Sequence, residues 1–150
     1  MMIRFTLCAL ALLSAGLVYA KESTTRHGIE PKDVVKAKSQ LLPIEKNVIQ
    51  FTNWQRKRHG LAPLEVDIEL VKSAREHASW MTRNRTLQHT GRPVAENIAM
   101  GYSSSESVVN GWMNSSGHRA NILSAGHRRI GVAAYRTKNG TIYWCQQFRR

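Results

Sequence analysis

Cysteine is scarce in this sequence of 150 residues, which contains only Cys8 and Cys145. Cys8 lies in an N-terminal segment that we expect to be removed, so the mature chain keeps one thiol and cannot form an internal disulfide. Its stability must then come from packing, for which a core of this size is sufficient. We expect Cys145, which lies among apolar residues of a predicted strand, to be a buried and unreactive thiol.

Several common catalytic motifs are also missing. The sequence contains no H-E-x-x-H, no C-x-x-C and no phosphate-binding loop, and none of its serines lies in a G-x-S-x-G turn. A recognisable zinc protease, dithiol oxidoreductase or serine hydrolase signature is therefore absent. The serines at 103–105 and 115–116 are explained by helix caps and turns.

Acidic residues are few, since 10 Asp and Glu stand against 22 Lys and Arg, and the formal net charge is +12. Removal of Arg4 with the N-terminal segment leaves +11. The basic residues are spread along the chain, and no nucleic-acid-binding motif accompanies them. We therefore expect no specific nucleic-acid partner. The charge is consistent with anionic envelope polymers, with peripheral contact to lipid headgroups, or with a basic solubilising surface alone.

A long apolar run occurs only near the N-terminus. Arg4, an apolar stretch of about 14 residues and the V-Y-A sequence at 18–20 form the three regions of a secretory signal peptide. The stretch is shorter than the roughly 20 residues that a membrane span requires. We therefore predict a signal peptide at residues 1–20 and a mature protein that is secreted, either extracellular or periplasmic. We also expect the mature protein to be a monomer.

Four helices are predicted after a polar, Lys-rich linker or N-terminal arm at residues 21–42. Pro43 begins the first, which ends near Arg58 before Gly60, and Asp67 caps the second, which runs to about residue 84. The third is capped by the serine at 104 or 105, and the short fourth by Ser116. Phe51 and Trp54 of the first helix are expected to pack in the core, and His77 of the second to be a partly exposed residue rather than a ligand.

Two strands at 130–136 and 141–148 flank Asn139-Gly140, which is a strong hairpin signal. Ile98 and its neighbours are predicted to add a third strand. Helices followed by a hairpin predict one layered α+β domain at residues 43–150.

His89, Glu96 and His118 are the candidate site residues. Two imidazoles and a carboxylate suit zinc or another divalent cation. They could equally act as general acid, general base and orienting group without a metal, or simply connect loops through hydrogen bonds. In either chemical role, Glu96 would hold one imidazole in a fixed tautomer or accept a proton from a metal-bound water.

The order of several short motifs resembles the CAP superfamily of cysteine-rich secretory proteins, antigen 5 and pathogenesis-related proteins, in particular its short bacterial branch. The motifs are HT at 89–90, AENIA at 95–99, GWMNS at 111–115, GHRANIL at 117–123 and IGVA at 130–133. Asn53, Arg56 and GLAPL at 60–64 match the family's first helix and turn, and YWCQQF at 143–148 matches its last strand. The resemblance extends from about residue 47 to residue 148.

The resemblance implies a three-layer α-β-α sandwich with a central cavity lined by two histidines and two acidic residues. His89 and His118 match the histidines and Glu96 one acidic residue, whereas Ser115 occupies the position of the second. Asn97 and Ser115 are expected to lie beside the cavity. Because that second carboxylate and a nucleophile are missing, the resemblance favours a secreted module that binds lipid, peptide or cell-envelope ligands. An extracellular, peptidase-like hydrolase and a structural or adhesion factor with a basic surface are the alternatives.

Overall fold

The computed structural model describes residues 40–150. The signal peptide predicted at residues 1–20 and the arm up to residue 39 lie outside the described residues. The elements, in chain order, are α1 (Pro43–Arg58), β1 (Glu65–Val66), α2 (Ile68–Asn84), β2 (Ala95–Met100), α3 (Ser105–Met113), α4 (Ser116–Ile122), β3 (Arg129–Arg136) and β4 (Ile142–Arg149). Within 40–150, every helix is too short or too polar to cross a membrane.

The four strands form one sheet in the order β1-β3-β4-β2. The predicted hairpin is confirmed, because β3 and β4 are antiparallel neighbours joined by a turn in which Gly140 has a φ of 92°. The predicted strand around Ile98 is also confirmed, and it pairs antiparallel with β4 as an edge strand. Strand β1, which runs parallel to β3, was not predicted, since its two residues are too few to show an alternating pattern.

Among the described residues, helix α2 alone covers one face of the sheet. The Asp67 carboxylate accepts the backbone N–H groups of Glu69 and Leu70, as expected of an N-cap. A buried stripe with helical spacing then packs on β3 and β4: Leu70, Val71, Ala74, Ala78 and Met81. The helix crosses β3 at Gly131, where an added Cβ would lie 2.2 Å from the carbonyl carbon of Leu70.

Helices α1, α3 and α4 cover the opposite face, so the three-layer α-β-α architecture is confirmed. Trp112 of α3 is buried against the sheet and donates its indole N–H to the Ile98 carbonyl at 3.2 Å. The buried Arg56 guanidinium donates to the carbonyls of Ile122 at 2.7 Å and Ser124 at 2.9 Å, which connects α1 to the end of α4.

Two local predictions in these helices are wrong. Ser115, not Ser116, is the N-cap residue of α4, and its side chain makes no capping hydrogen bond. Trp54 is 52% exposed rather than packed in the core. The buried side of α1 includes polar residues in its second half, among them Gln55 and Arg56. A prediction from the positions of apolar residues therefore assigned the wrong face of this half of the helix to the core.

Candidate functional site

The candidate site lies along the edge strand β2. Glu96 sits opposite Gln147 of β4, and its side chain is only 3% exposed. Because successive strand residues point to opposite faces, the side chains of Glu96 and Asn97 lie on different sides of the sheet. The loop that carries His89 approaches Glu96, whereas helix α4, which carries His118, approaches Asn97.

Four donors surround the Glu96 carboxylate. Its Oε1 accepts from His89 Nδ1 at 2.9 Å and from the Thr90 backbone N–H at 2.9 Å. Its Oε2 accepts from Gln147 Nε2 at 2.9 Å and from the Cys145 thiol at 3.5 Å. These contacts use both oxygens fully, so the carboxylate acts as an acceptor for the protein's own groups.

The same contacts keep Glu96 ionised. Burial by itself raises the pKa of this carboxyl, but the hydrogen bonds from Gln147, the Thr90 N–H and His89 outweigh burial and lower the pKa below its ordinary value. The site therefore contains a fixed negative charge beneath an exposed imidazole.

His89 is the solvent-exposed member of the His89–Glu96 pair. Its side chain is 59% exposed, and the contact between its Nδ1 and an ionised carboxylate places the proton on Nδ1. Its Nε2 consequently carries a free lone pair. A histidine oriented by a carboxylate in this way is the usual arrangement of a metal-binding imidazole.

His77 is a neighbour that sequence reasoning placed outside the site. Its Nε2 lies 2.7 Å from the Gln88 carbonyl and 3.9 Å from Glu96 Oε1, and its ring stacks on Trp80 with centroids 5.8 Å apart. It borders a shallow groove of about 290 Å³ that also includes His89. The available signal was its position beside Ala74, Ala78 and Met81, at the margin of the buried stripe of α2.

Asn97 fixes the position of His118. Its buried amide donates to the His118 carbonyl at 3.1 Å and to Gln146 Oε1 at 3.1 Å, while its oxygen accepts from Asn121 at 2.9 Å. Helix α4 is thereby held against β2 by a side chain that water does not reach. Ser115, at the start of this helix, is half-buried and brings no charge to the site.

The His118 imidazole faces a less solvated environment than His89. Burial lowers its pKa, and the charge that His89 carries when it is protonated lowers it further. Within residues 40–150, the ring nitrogens of His118 have no hydrogen-bond partner. The His118 imidazole, whose lowered pKa favours the neutral form, therefore lies on the α4 side of the edge strand.

The fit to a metal can be tested on these contacts. Glu96 has no free oxygen lone pair, so the donors open to a cation are the imidazoles of His89 and His118. No group of three or more His, Cys, Asp or Glu side chains in the described part of the chain is arranged to hold a metal ion. The set of His89, Glu96 and His118 does not form a preassembled three-ligand centre in this structure.

Cys145 and Gln147 complete the inner side of the site, and neither was among the predicted site residues. Cys145 is fully buried, and burial, together with the charge and hydrogen bond of Glu96, raises its pKa well above the ordinary value. Gln147 donates to Glu96, but its own Oε1 is buried with no hydrogen-bond partner among the described residues. The adjacent glutamines 146 and 147 could have indicated that both faces of β4 carry polar side chains.

Comparison with known proteins identifies the family of the chain. The sequence model for CAP, the cysteine-rich secretory protein family, matches residues 49–148. The chain is 38% identical over 129 residues to the Bacillus subtilis uncharacterized protein YkwD, covering 75% of this chain and 49% of that protein. It is 29% identical to Arabidopsis thaliana pathogenesis-related protein 1, covering 75% and 79%. The chain thus spans about half the length of its Bacillus relative.

Solved structures show the same fold. A Bacillus anthracis extracellular protein containing an SCP domain aligns with a TM-score of 0.64 and 26% identity, covering 82% of this chain and 45% of that chain. An outer surface protein from Borrelia burgdorferi aligns with a TM-score of 0.61 and 24% identity, covering 81% and 96%. A third structure, NaASP2 with Zn2+, has a TM-score of 0.58 and 12% identity, covering 70% and 78%.

Proposed function

The chain belongs to the CAP family of cysteine-rich secretory proteins, and from that premise we propose that it is an exported binding module whose edge-strand site takes a divalent cation such as zinc. His89 and His118 are the protein ligands in this proposal, and Glu96 orients His89. Lipid, peptide and cell-envelope polymers are the ligand classes such a module would engage. The observation that carries the proposal is the 2.9 Å contact between His89 Nδ1 and Glu96 Oε1.

Binding is favoured over hydrolysis because the described residues offer no activated nucleophile. Cys145 is the thiol nearest to Glu96, but its burial and raised pKa keep it protonated and out of reach of a substrate. Within residues 40–150, no serine hydroxyl is hydrogen-bonded to a histidine ring, so the arrangement that activates a serine is not formed.

A site with two imidazoles would be weak and open. Zinc in proteins takes three or four ligands, so water or a bound ligand would complete the shell. When bound, the cation would supply a Lewis acid able to hold a carbonyl, carboxylate or phosphate oxygen. The chain's own groups would position it: Glu96 sets the tautomer of His89, and Asn97 holds the backbone of His118.

Calorimetric titration with zinc of the chain from Lys21 tests the proposal. His89→Ala and His118→Ala should each reduce zinc affinity by at least about tenfold, as expected for loss of a metal ligand or its support. His59→Ala is the matched control, because His59 is exposed and its Nδ1 contacts only the Gln55 carbonyl at the end of α1. The control should bind zinc like the wild type.

Circular dichroism of each variant establishes that the fold is retained. Equal zinc affinity in the wild type, His89→Ala and His118→Ala would refute the metal site. In that case the His89–Glu96 pair would be a structural connection between the loop and β2.

A further inference from the structure

Four basic side chains surround a groove of about 380 Å³ at the far end of α2. Arg83 lies in the last turn of the helix and Arg85 directly follows it, whereas Arg136 ends β3 and Lys138 lies in the β3–β4 turn. We call these four residues the basic cluster. Thr82, Thr137 and Asn139 complete the lining. The cations therefore approach one groove from two separate elements of the fold.

Among the described residues, no acidic side chain compensates the charge of the basic cluster. No Asp or Glu in the described range 40–150 forms an ion pair with any of its four members. Four surface cations elsewhere do have such partners, in the pairs Lys72–Glu69, Arg92–Glu76, Arg129–Glu65 and Arg149–Asp67, whereas exposed cations such as Lys57 and Arg150 have none within 40–150. What distinguishes the basic cluster is that its four unpaired cations line one groove. Within residues 40–150, the groove thus presents four positive charges without an acidic partner, which suits an anionic ligand.

Arg85 occupies a position that normally selects glycine. It follows α2 with a φ of 50°, and it is the one non-glycine residue of positive φ within residues 40–150. The left-handed conformation at the end of a helix disfavours residues with a Cβ. The helix C-terminus explains cations at Arg83 and Arg85 in part, since its carbonyls attract positive charge. It does not explain Arg136 and Lys138, which lie on the hairpin.

We infer that the basic cluster binds the phosphate groups of a phosphodiester-linked polymer of the cell envelope. Guanidinium groups match phosphate oxygens through paired hydrogen bonds, and three of the four cations are arginines. The lining contains no aromatic side chain, so the groove offers no platform for stacked bases of a nucleic acid. A groove bounded on two sides fits a narrow chain better than the plane of a membrane.

This surface is separate from the His89–Glu96 site, although the two are connected. Arg83 also borders a groove of about 290 Å³ that includes His77, Trp80 and Thr90. That second groove also contains the acidic Glu76 and the stacked rings of His77 and Trp80, so the inference concerns the basic cluster alone. The inference does not depend on the metal, because none of the four cations is a proposed metal ligand.

The test compares two double variants of the chain from Lys21, with linear inorganic polyphosphate as the probe in a calorimetric titration. Arg136→Gln/Lys138→Gln removes two positive charges from the basic cluster. Lys57→Gln/Arg150→Gln is the matched control, because it removes one lysine and one arginine at exposed positions elsewhere. We expect the cluster variant to lose at least about tenfold in affinity and the control less than about threefold, because only cations that meet phosphates contribute strongly to the affinity.

Equal losses in the two double variants would overturn the inference, because binding would then follow net charge alone. A parallel titration uses vesicles of equal parts phosphatidylcholine and phosphatidylglycerol. The inference also fails if the cluster variant loses vesicle binding by as large a factor as polyphosphate binding, since the surface would then be a membrane contact. Zinc affinity of the cluster variant should equal that of the wild type, which separates this result from failure of the metal site.

Discussion

Glu96 Oε1 lies 2.9 Å from His89 Nδ1, although the carboxylate is buried in the edge strand and the imidazole is largely exposed on a loop. A buried charge thus sets the tautomer of a solvent-facing ring. The other oxygen of the carboxylate is held by Gln147 and Cys145 of the neighbouring strand. The orientation of His89 therefore depends on the pairing of β2 with β4, and changes in that pairing should alter the site.

Glu96→Gln should weaken both the fold and the site. The new amide group would direct N–H donors at groups that are themselves donors, so part of the network around Glu96 would lose its acceptor. We expect a loss of about 2 kcal/mol in the free energy of unfolding and a decrease of about 10- to 100-fold in zinc affinity. Urea unfolding and zinc titration measure the two effects.

Glu76→Gln is the control for that substitution. Glu76 is exposed and pairs with Arg92 at the surface, so its replacement should change little. If Glu76→Gln and Glu96→Gln had equal effects on unfolding and zinc binding, the special role assigned to the buried carboxylate would be wrong.

Cys145 should remain unmodified in the native protein. Because burial raises its pKa, the thiol stays protonated at pH values where a free cysteine ionises. Iodoacetamide at a pH of about 8, close to the ordinary thiol pKa, should label Cys145 in urea but not in buffer, as measured by mass spectrometry. Rapid labelling of the folded chain would contradict the buried position of the thiol.

The same thiol predicts a loss of stability at alkaline pH. Its folded pKa lies above the unfolded value, so its contribution is complete below the unfolded pKa of about 8.5 and declines as the pH rises toward the folded pKa. Urea unfolding between neutral and alkaline pH should show a smaller decline in Cys145→Ala than in the wild type. Parallel declines would remove Cys145 as the cause.

Arg85→Gly should make the protein more stable. Glycine adopts the left-handed conformation without the steric cost of a Cβ, which is about 1 kcal/mol for other residues. We expect a higher melting temperature in calorimetry, accompanied by weaker polyphosphate binding. Gly60→Ala is the opposite control, since Gly60 has a φ of 72° and the substitution should lower the melting temperature. A lower melting temperature in Arg85→Gly would contradict the assignment of strain to this residue.

Gly131→Ala should weaken the packing of α2 on the sheet. An added methyl group would meet the backbone of Leu70 and Val71 at distances of 2.2–2.4 Å, where neither atom can move without shifting the helix. We expect a loss of about 1–3 kcal/mol in the free energy of unfolding, typical of overpacking. Gly126→Ala is the control, because the nearest atom to its added Cβ is at 3.7 Å. Unchanged urea unfolding of Gly131→Ala would mean that the helix is not closely seated on β3.

Local patterns in the sequence determined most of the elements. Asn139-Gly140 between two apolar segments predicted the hairpin, and Asp67 before a helical stripe predicted the start of α2, because both signals act within a few residues. The order of motifs also indicated the three-layer fold. Strand β1 could not be predicted in this way, since two residues become a strand only when β3 lies beside them.

The roles of the site residues could not be predicted from local patterns. His89, Glu96 and His118 were recognised as candidates from the sequence, but their individual roles depend on contacts between distant segments. Only the sheet places Gln147 and Cys145 beneath Glu96, and only the packing of α2 brings His77 within 3.9 Å of the same carboxylate. A carboxylate with all its lone pairs in use orients a neighbour, whereas a free one binds a metal. Sequence spacing contains no information on that difference.

The sequence by itself therefore determined the fold class, the excess of positive charge and the residue types of the candidate site. Tertiary structure alone decided that Glu96 orients His89 and that Trp54 faces solvent. It also brought together at one groove the cations Arg83, Arg85, Arg136 and Lys138. The physical reason is the range of the interactions. Caps, turns and periodic stripes act between residues close in the chain, whereas hydrogen-bond saturation and charge clustering depend on which distant segments the sheet and helices bring together.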